Sequence, residues 1–315
     1  MTKKPMIILS GPTAVGKTAL SIELAKKVNG CVISADSMQI YKYMDIGSAK
    51  IMPDEMDGVK HYLIDELLPT EEFNIVRFQT MAKAALEEIY ANGQVPIIAG
   101  GTGFYIQALL YDIDFSHQDA DEQYRNELEN FAKENGNEAL HDKLKALDPV
   151  SADKIHANNV KRVIRALEYY KLTGNPISEH NEIESEKESP YNFAYFVLTD
   201  DRANLYKRIE KRVDIMMQQG LLGEVQRLKD MGYHRDMVSM QGLGYKEILD
   251  YLDGKCTLDE AVATIKLETR HFAKRQLTWF RREREVIWLD KSEFSYDDNA
   301  ILEEMCRVLG TKKIV

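Results

Sequence analysis

Short apolar runs alternate with amphipathic segments in the first hundred residues. The runs lie at residues 6–9, 31–34 and 94–99, and each is bounded by polar or turn-forming residues. Between them, apolar residues recur at helical spacing over residues 19–28 and over about 76–92. Strands that alternate with helices predict a parallel sheet covered by helices, which is the arrangement of α/β proteins.

The pattern changes after residue 105. Polar helices are predicted at 120–135, 137–147, 151–156 and 158–173, and the charged segment 180–192 (HNEIESEKESPYN) predicts an exposed linker. Strand character returns at 195–198, and a helix at 202–218 and a last strand at 286–289 follow. We therefore expect a core formed by residues 1–115 and 193–315, interrupted by an all-helical insertion domain at 116–192.

Composition and charge refine this picture. The 315 residues are 44% apolar and 29% charged, which is typical of a globular protein of about two domains. A net charge of −10 argues against a nucleic-acid partner if the charge is spread evenly. It is segregated, however, because residues 265–285 carry seven basic and three acidic side chains, whereas residues 112–145 carry ten acidic and four basic ones.

Other classes of protein are disfavoured by what the sequence does not contain. No apolar run approaches the roughly 18 residues of a membrane span, and the N-terminal segment carries no cleavage signal, so we expect a cytoplasmic protein without a membrane partner. Cys31, Cys256 and Cys306 are odd in number and far apart, which indicates packed thiols. The histidines show no metal-ligand spacing.

A phosphate-binding loop follows the first predicted strand. Residues 11–18 read GPTAVGKT, which fits GxxxxGK[ST] between a strand and a helix. In such a loop the glycines let backbone N–H groups point at an anion, the lysine adds a charge and the last hydroxyl can ligate Mg²⁺. The candidate anion-binding residues are Gly11, Pro12, Thr13, Ala14, Val15, Gly16, Lys17 and Thr18. We therefore expect an α/β fold class with a P-loop kinase-like parallel sheet.

Two further polar residues follow predicted strands. Asp36 comes after the strand at 31–34, where doubly wound sheets place their ligands, and it could organise a metal or act as a general base. Thr102 lies in GGTG at the end of the strand at 94–99. Its N–H and hydroxyl could face a phosphoryl or leaving-group oxygen, or the segment could be a simple turn.

Six motifs extend over nearly the whole chain: GPTAVGKT, DSMQIY (36–41), GGTGFY (100–105), KRVIRALEYYKLTG (161–174), QGLGYKE (241–247) and TRHFAKRQLTWFRR (269–282). Together they resemble the bacterial type of the tRNA dimethylallyltransferase family, also called tRNA isopentenyltransferases. The resemblance implies transfer of a dimethylallyl group from dimethylallyl diphosphate to N6 of adenosine 37 in the tRNA anticodon loop, with release of diphosphate. It also implies that the phosphate loop holds the diphosphate of the donor.

The resemblance assigns roles to the reacting groups. Asp36 corresponds to the general base and Thr102 to a residue that holds the reacting end. Lys17 and a Mg²⁺ ion on Thr18 would neutralise the leaving diphosphate. Arg208 and Arg212 correspond to diphosphate-directed arginines, although a solvated helix stripe would show the same i,i+4 spacing.

The resemblance also implies a tRNA-binding set. Ser37, Met38 and Gln39, beside Asp36 and Thr102, would recognise a base that leaves the anticodon stack. The basic run would contact RNA with charges and aromatic rings, although an amphipathic helix that buries Phe272, Leu277 and Phe280 explains part of its pattern. The remaining candidates are Arg125, Lys161, Arg162, Arg165, Gln241, Gly242, Gly244, Tyr245, Lys246, Arg270, Lys274, Arg275, Gln276, Trp279 and Arg281.

Two alternatives remain open. A small-molecule kinase would bind ATP at the same loop and use the same arginines, but it does not explain DSMQIY or the basic aromatic run. An RNA-binding regulator would need neither Lys17, Thr18 nor Asp36. We expect a monomer that engages one anticodon stem-loop.

Overall fold

The computed structural model describes residues 3–115 and 122–315. The chain divides into two compact units, of which the first contains Met1–Leu110 and Pro190–Val315 and the second contains Tyr111–Ser189. His117 and the first two residues of the helix expected at 120–135 lie outside the described residues.

Six parallel strands form one sheet in the first unit. They are β1 (Lys4–Ser10), β2 (Gly30–Ala35), β3 (His61–Tyr62), β4 (Val95–Gly100), β5 (Tyr191–Thr199) and β6 (Val286–Asp290). The order across the sheet is β3-β2-β4-β1-β5-β6. The α/β fold class is therefore confirmed, and so are the five strands expected from the sequence. The two-residue β3 is too short to give a sequence signal.

Helices surround this sheet and form the second unit. In the first unit the chain begins with α1 (Lys17–Val28), α2 (Ile75–Ala91) and α3 (Gly103–Leu110). The second unit contains α4 (Glu122–Asn135), α5 (Asn137–Leu147), α6 (Pro149–Lys154), α7 (Val160–Thr173) and α8 (Ile177–Glu186). The first unit resumes with α9 (Arg202–Gln218), α10 (Leu221–Asp230), α11 (Tyr245–Leu252), α12 (Leu258–Phe280) and α13 (Asp298–Thr311), with a 3₁₀ turn at Ser239–Gln241.

The core of the first unit explains why its strands are apolar at successive positions. Ile7 and Leu9 of β1 point to one face of the sheet, and both are fully buried with Leu24, Phe196 and Leu302 in one cluster. The intervening residues of β1 are also fully buried. A parallel strand that is covered on both faces loses the apolar–polar alternation of a half-exposed strand. Among the described residues, no helix is long and apolar enough to cross a bilayer.

The cysteines and the segment at 180–192 can now be placed. Cys31 is buried and Cys256 and Cys306 are half-buried, and all three are free thiols. The prediction of an exposed linker at 180–192 is wrong, because α8 continues to Glu186 and β5 begins at Tyr191. Although α8 is rich in charge, Glu184 is buried and its carboxylate accepts a hydrogen bond from the Asp114 amide at 3.1 Å. This hydrogen bond of a buried charged residue helps to attach α8, which has few apolar residues, to the rest of the second unit.

The second unit is held by a small apolar cluster and by buried carboxylates, among them Asp148. Leu140, Leu144 and Leu167 are buried in the cluster. Asp148, 1% exposed, accepts hydrogen bonds from the Ser151 amide at 2.9 Å and from the amide and hydroxyl of Ser178 at 3.0 and 2.7 Å. Burial alone would raise the pKa of Asp148, but these hydrogen bonds outweigh it and hold that pKa below its ordinary value.

We predict that Asp148→Ala destabilises the second unit by about 1 to 3 kcal/mol, because it removes the cap of α6 and leaves buried donors without acceptors. Hydrogen–deuterium exchange of α6 and α8 should accelerate. The stabilisation from Asp148 should disappear as the pH falls through its lowered pKa, since protonation removes the acceptor charge.

The matched control is Asp153→Ala, which changes an exposed carboxylate on the same helix. Equal exchange rates in the two variants would show that Asp148 does not connect α6 to α8.

Candidate functional site

The phosphate loop connects the buried end of β1 to α1. Gly16 has a φ of +107° and caps α1 in the left-handed region, which a side chain adopts with strain. Gly11 is constrained by space as well, because a Cβ there would lie 2.5 Å from the carbonyl oxygen of Leu198 in β5. The glycines are therefore required by the backbone geometry, as the sequence predicts.

Lys17 lies inside this loop. Its Nζ donates hydrogen bonds to the carbonyl oxygens of Gly11 at 2.9 Å and Pro12 at 2.8 Å. The pKa of Lys17 is lowered to about 7, mainly by burial and in addition by the nearby charge of Arg212, while the charge of Asp36 opposes the shift. An anion at this site would stabilise the protonated lysine.

Two arginines of α9 approach the loop from one side. Arg208 donates from Nε to the carbonyl oxygen of Ala14 at 2.9 Å, and Arg212 donates from Nη1 to Oγ1 of Thr13 at 3.4 Å. Burial, followed by the charge of Arg208, lowers the pKa of Arg212. The structure thus brings the arginine pair to the loop, and the pair is not only a solvated stripe.

Gln276 of α12 connects two loops that the sequence separates widely. Its Oε1 accepts a hydrogen bond from the Thr13 amide at 2.8 Å, and its Nε2 donates to the carbonyl oxygen of Gly101 at 2.9 Å. The side chain of Gln276 is 6% exposed and both of its polar atoms are used inside the protein, so its expected tRNA contact gains no support from this geometry and stays a prediction. Gly101 leaves room for this amide, since a Cβ there would collide with Nε2.

Asp36 follows β2 at the same edge of the sheet. Its Oδ1 accepts a hydrogen bond from the Met38 amide at 2.8 Å. Burial raises the pKa of Asp36, and this effect exceeds the opposing effects of the Met38 amide and the Lys17 charge. A carboxylate with a raised pKa is a stronger base than an ordinary aspartate, provided that it is ionised.

Two cavities meet at Asp36. The first has a volume of about 90 Å³ and is lined by Lys17, Thr18 and Gly100. The second, of about 430 Å³, lies within the size range of small-molecule sites. Asp36, Thr13 and Arg212 line both cavities, together with Ser48, Ala49 and Phe272. A group in the first cavity and a group in the second would therefore share one wall.

The second cavity contains most of the predicted base-recognition residues. Ser37, Met38, Thr102, Gln241, Gly242, Gly244, Lys246 and Arg275 line it with Asp36. Gly242 packs against Met38, since a Cβ there would lie 2.5 Å from Cε of that side chain. The amide of Thr102 donates to the carbonyl oxygen of Ala35 at 3.1 Å, which fixes the GGTG segment beside Asp36.

Sequence analysis missed the apolar lining of the second cavity. Phe73 and Tyr105 meet edge to face with ring centroids 5.7 Å apart, and Val213, Met216 and Ile265 also line the space. Apolar residues at helical spacing predict a core contact, so no local pattern distinguishes these residues from ordinary packing. Ser48 and Ala49 also line this cavity, and no motif in the sequence marks them.

Two predicted base contacts have different environments. Gln39 lines the first cavity only, and it accepts from the Ser34 hydroxyl at 3.0 Å and donates to the carbonyl oxygen of Ala49 at 3.2 Å. Tyr245 is fully buried and its hydroxyl donates to Glu224 at 2.8 Å. The ring of Tyr245 lines neither cavity, so its expected tRNA contact gains no support from this geometry and stays a prediction.

The basic segment of α12 is partly exposed and partly packed. Lys274, Arg275 and Arg281 are exposed, whereas Nη1 of Arg270 is paired with Glu210 at 2.6 Å. Trp279 is half-buried, with its ring 6.1 Å from that of Phe104. The inward face contains Ala273, Gln276 and Phe280, while Phe272 and Leu277 are only half-buried.

The second unit has its own basic residues. Lys161 and Arg162 at the start of α7 are exposed, and Arg165 is half-buried with a pKa that burial lowers. Arg125 forms a two-pronged ion pair with the buried Glu168, at 2.9 Å from Nε and 3.0 Å from Nη2. Arg125 therefore joins α4 to α7. Nothing in the local sequence around Arg125 indicates this structural role.

The donors available to a metal are few. Within the described residues, no group of three histidine, cysteine, aspartate or glutamate side chains could hold an ion. The first cavity does contain the Thr18 hydroxyl and the Asp36 carboxylate. This donor set fits Mg²⁺, which uses one or two protein oxygens and completes its shell with water and substrate phosphates.

Comparisons with known proteins agree with one another. The model of the family described as IPP transferase matches residues 39–283. The tRNA dimethylallyltransferase of Lachnoclostridium phytofermentans is 60% identical over 99% of both chains. The crystal structure of the full-length tRNA isopentenylpyrophosphate transferase from Bacillus halodurans has a TM-score of 0.74 at 47% identity and covers 99% of this chain and 98% of its own. A eukaryotic dimethylallyltransferase acting on tRNA has a TM-score of 0.80 at 30% identity and covers 93% and 75% of the two chains.

We predict that inorganic diphosphate binds with proton uptake at about pH 8, because Lys17 is mostly neutral there and an anion raises the pKa of a neighbouring ammonium group. Calorimetry in buffers of different ionisation enthalpy should show an uptake approaching one proton.

Lys17→Arg is the control, because a guanidinium is charged before binding and takes up no proton. The assignment of the proton to Lys17 would have to be abandoned if the arginine variant took up as many protons as the wild type.

Proposed function

The chain belongs to the IPP transferase family of tRNA dimethylallyltransferases, and from this premise we propose that it transfers a dimethylallyl group from dimethylallyl diphosphate to N6 of adenosine 37 in the tRNA anticodon loop. The observation that carries the proposal is the position of Asp36 on the wall shared by the two cavities. The first cavity suits a diphosphate and the second suits a nucleobase, so their reacting atoms would meet beside a carboxylate.

In the proposed reaction, a bond forms between N6 and the allylic C1 while the bond from C1 to the diphosphate oxygen breaks. The diphosphate leaves with the electron pair of the broken bond. Asp36 accepts the proton that N6 loses, and its raised pKa makes it a better base for a weakly nucleophilic aromatic amine. Thr102 holds the reacting end of the donor. Its own position in the GGTG segment is fixed by the hydrogen bond from its amide to the carbonyl oxygen of Ala35.

The departing diphosphate needs positive charge. Backbone amides around Gly16, at the start of α1, supply partial charges, and Lys17 and Arg212 supply full ones. Arg208 acts through the backbone of Ala14 and fixes the shape of the loop. A Mg²⁺ ion held by Thr18, with Asp36 nearby, would add Lewis-acid stabilisation of the diphosphate oxygens.

The acceptor adenine has to leave the anticodon stack to reach a cavity of this kind. Ser37 and Met38 line the proposed base site, and the rings of Phe73 and Tyr105 provide apolar walls. The exposed cations of α12 and of α7 are proposed to contact the phosphates of the stem-loop. We propose that the protein acts on tRNA in the cytoplasm, as a monomer with one stem-loop.

The direct test is incubation of the purified protein with Mg²⁺, unmodified tRNA and radiolabelled dimethylallyl diphosphate, followed by nucleoside analysis of the RNA. Label at N6 of adenosine is the expected result. Phosphorylation of a small molecule by ATP, without labelled RNA, would instead indicate a kinase and would contradict the proposal.

We predict that Asp36→Asn lowers turnover by about 10² to 10⁴-fold while tRNA affinity is retained, because the amide cannot accept the proton from N6. In the wild type, kcat/KM should rise with pH through the raised pKa of Asp36, since only the ionised carboxylate is a base. Single-turnover rates and filter binding measure the two quantities separately.

Asp54→Asn, which alters an exposed carboxylate, is the control for the change of charge. Normal turnover at saturating tRNA in Asp36→Asn would exclude Asp36 as the base.

We predict that Lys274→Ala weakens tRNA binding and makes its salt dependence shallower. The slope of the logarithm of the binding constant against the logarithm of the salt concentration should change by about one unit, because one phosphate contact is lost. Binding isotherms between low and high salt check this. Lys27→Ala, at an exposed lysine of α1, should leave the slope unchanged, and an unchanged slope in Lys274→Ala too would remove Lys274 from the RNA surface.

A further inference from the structure

Glu224 of α10 is a buried carboxylate that the proposed chemistry does not use. It is 1% exposed and lies on the apolar stripe of the helix with Leu221, Val225 and Leu228. A buried charge in such a position destabilises the folded protein unless each of its oxygens accepts hydrogen bonds.

Both oxygens of Glu224 are fully used. Oε2 accepts from the backbone amides of Asp45 at 3.1 Å and Ile46 at 2.8 Å. Oε1 accepts from the amide of Gly47 at 3.1 Å and from the hydroxyl of Tyr245 at 2.8 Å. Three successive amides that converge on one carboxylate form a small anion-binding nest made by the protein for its own side chain.

These four donors belong to two segments of the chain that form adjoining walls of the second cavity. Residues 45–47 lead directly into Ser48 and Ala49, which line the cavity. Tyr245 follows Gly242 and Gly244, which line it from another segment of the chain. The two walls also touch directly, because a Cβ on Gly47 would lie 2.5 Å from the Tyr245 ring.

Lys50 fixes the other end of the same loop. Its side chain is fully buried, and Nζ donates to the carbonyl oxygen of Tyr41 at 2.7 Å and to the carboxylates of Asp45 and Asp65. The loop of residues 41–50 is therefore held by a buried cation and a buried anion, while only the anion also reaches the segment at 241–246.

We propose that Glu224 is a positioning residue for the acceptor base: it sets the separation of the two walls of the second cavity without touching the substrate. The inference rests on the proposed function, since it takes the second cavity as the site of the adenine. Glu224 does not line either cavity, so its effect is transmitted through residues 45–47 and Tyr245.

The chemistry requires a carboxylate at this position. A glutamine has one accepting oxygen and one NH₂ group that donates. Because each oxygen of Glu224 receives two donors, either orientation of a glutamine would direct its NH₂ group at two donors. E224Q would thus leave without an acceptor either the amides of Asp45 and Ile46 or the amide of Gly47, since the Tyr245 hydroxyl can turn and accept from the new NH₂ group. The loop would be held less firmly against Tyr245, while the shape of the side chain is preserved.

The experiment measures steady-state kinetics with an anticodon stem-loop RNA and dimethylallyl diphosphate, and the affinity for inorganic diphosphate. For E224Q we expect the KM for RNA to rise by about tenfold or more, because at least one buried amide of the 45–47 loop loses its acceptor. The affinity for inorganic diphosphate should remain within about twofold, because the phosphate loop does not contact Glu224. Y245F, which keeps the three backbone bonds, should show a smaller rise in the KM for RNA.

Asp297→Ala is the matched control for a general loss of stability. It removes the side-chain cap of α13, which accepts from the Asn299 amide, and it should lower the melting temperature without changing the KM for RNA.

An unchanged KM for RNA in E224Q would overturn the inference, and so would a parallel loss of RNA and diphosphate binding. Where E224Q does not fold, Y245F decides, and its KM for RNA equal to that of the wild type would count against the proposal. Failure of the wild type to modify RNA would contradict the proposed function itself, whatever the variants do.

Discussion

The site depends on the contact between the carboxyl ends of three parallel strands. Gly100 pairs with Ser10 on one side and with Ala35 on the other, and the Ser10 hydroxyl donates to the carbonyl oxygen of Gly100 at 2.6 Å. A Cβ on Gly100 would collide with the backbone of Ala35. Because the strands end together, the phosphate loop, Asp36 and the Thr102 segment all leave the sheet at one edge, which is the edge where open α/β sheets bind their ligands.

The long helix α12 then completes the site from outside the sheet. Gln276 joins the phosphate loop to Gly101, and Phe272 lines both cavities. The same helix exposes Lys274 and Arg281 on its outer side. One element thus holds the reacting loops and carries the charges proposed to contact RNA.

Burial tunes the reacting groups in opposite directions. Lys17 has a lowered pKa and Asp36 a raised one, so burial makes each of them easier to neutralise than its free counterpart. A diphosphate would favour the charged lysine, while the carboxylate keeps its capacity to accept a proton. Buried charges with complete hydrogen bonding, such as Glu224 and Lys50, have a different purpose, because they hold the loop around the second cavity in one conformation.

The sequence alone determined the parts that depend on local physics. The five longer strands, most of the helices and the phosphate loop follow from apolar periodicity and from glycines that the backbone requires, and Asp36 follows from its position after a strand. Only the tertiary structure decided which side chains are accessible. Tyr245 and Gln276 belong to motifs that resemble RNA contacts, yet both are buried, and α8 was hidden by its charge because its support comes from Glu184 and Asp148. The apolar walls of the second cavity were equally invisible, since Phe73, Tyr105 and Met216 have the pattern of core residues and become a pocket only where distant segments fail to fill the space between them.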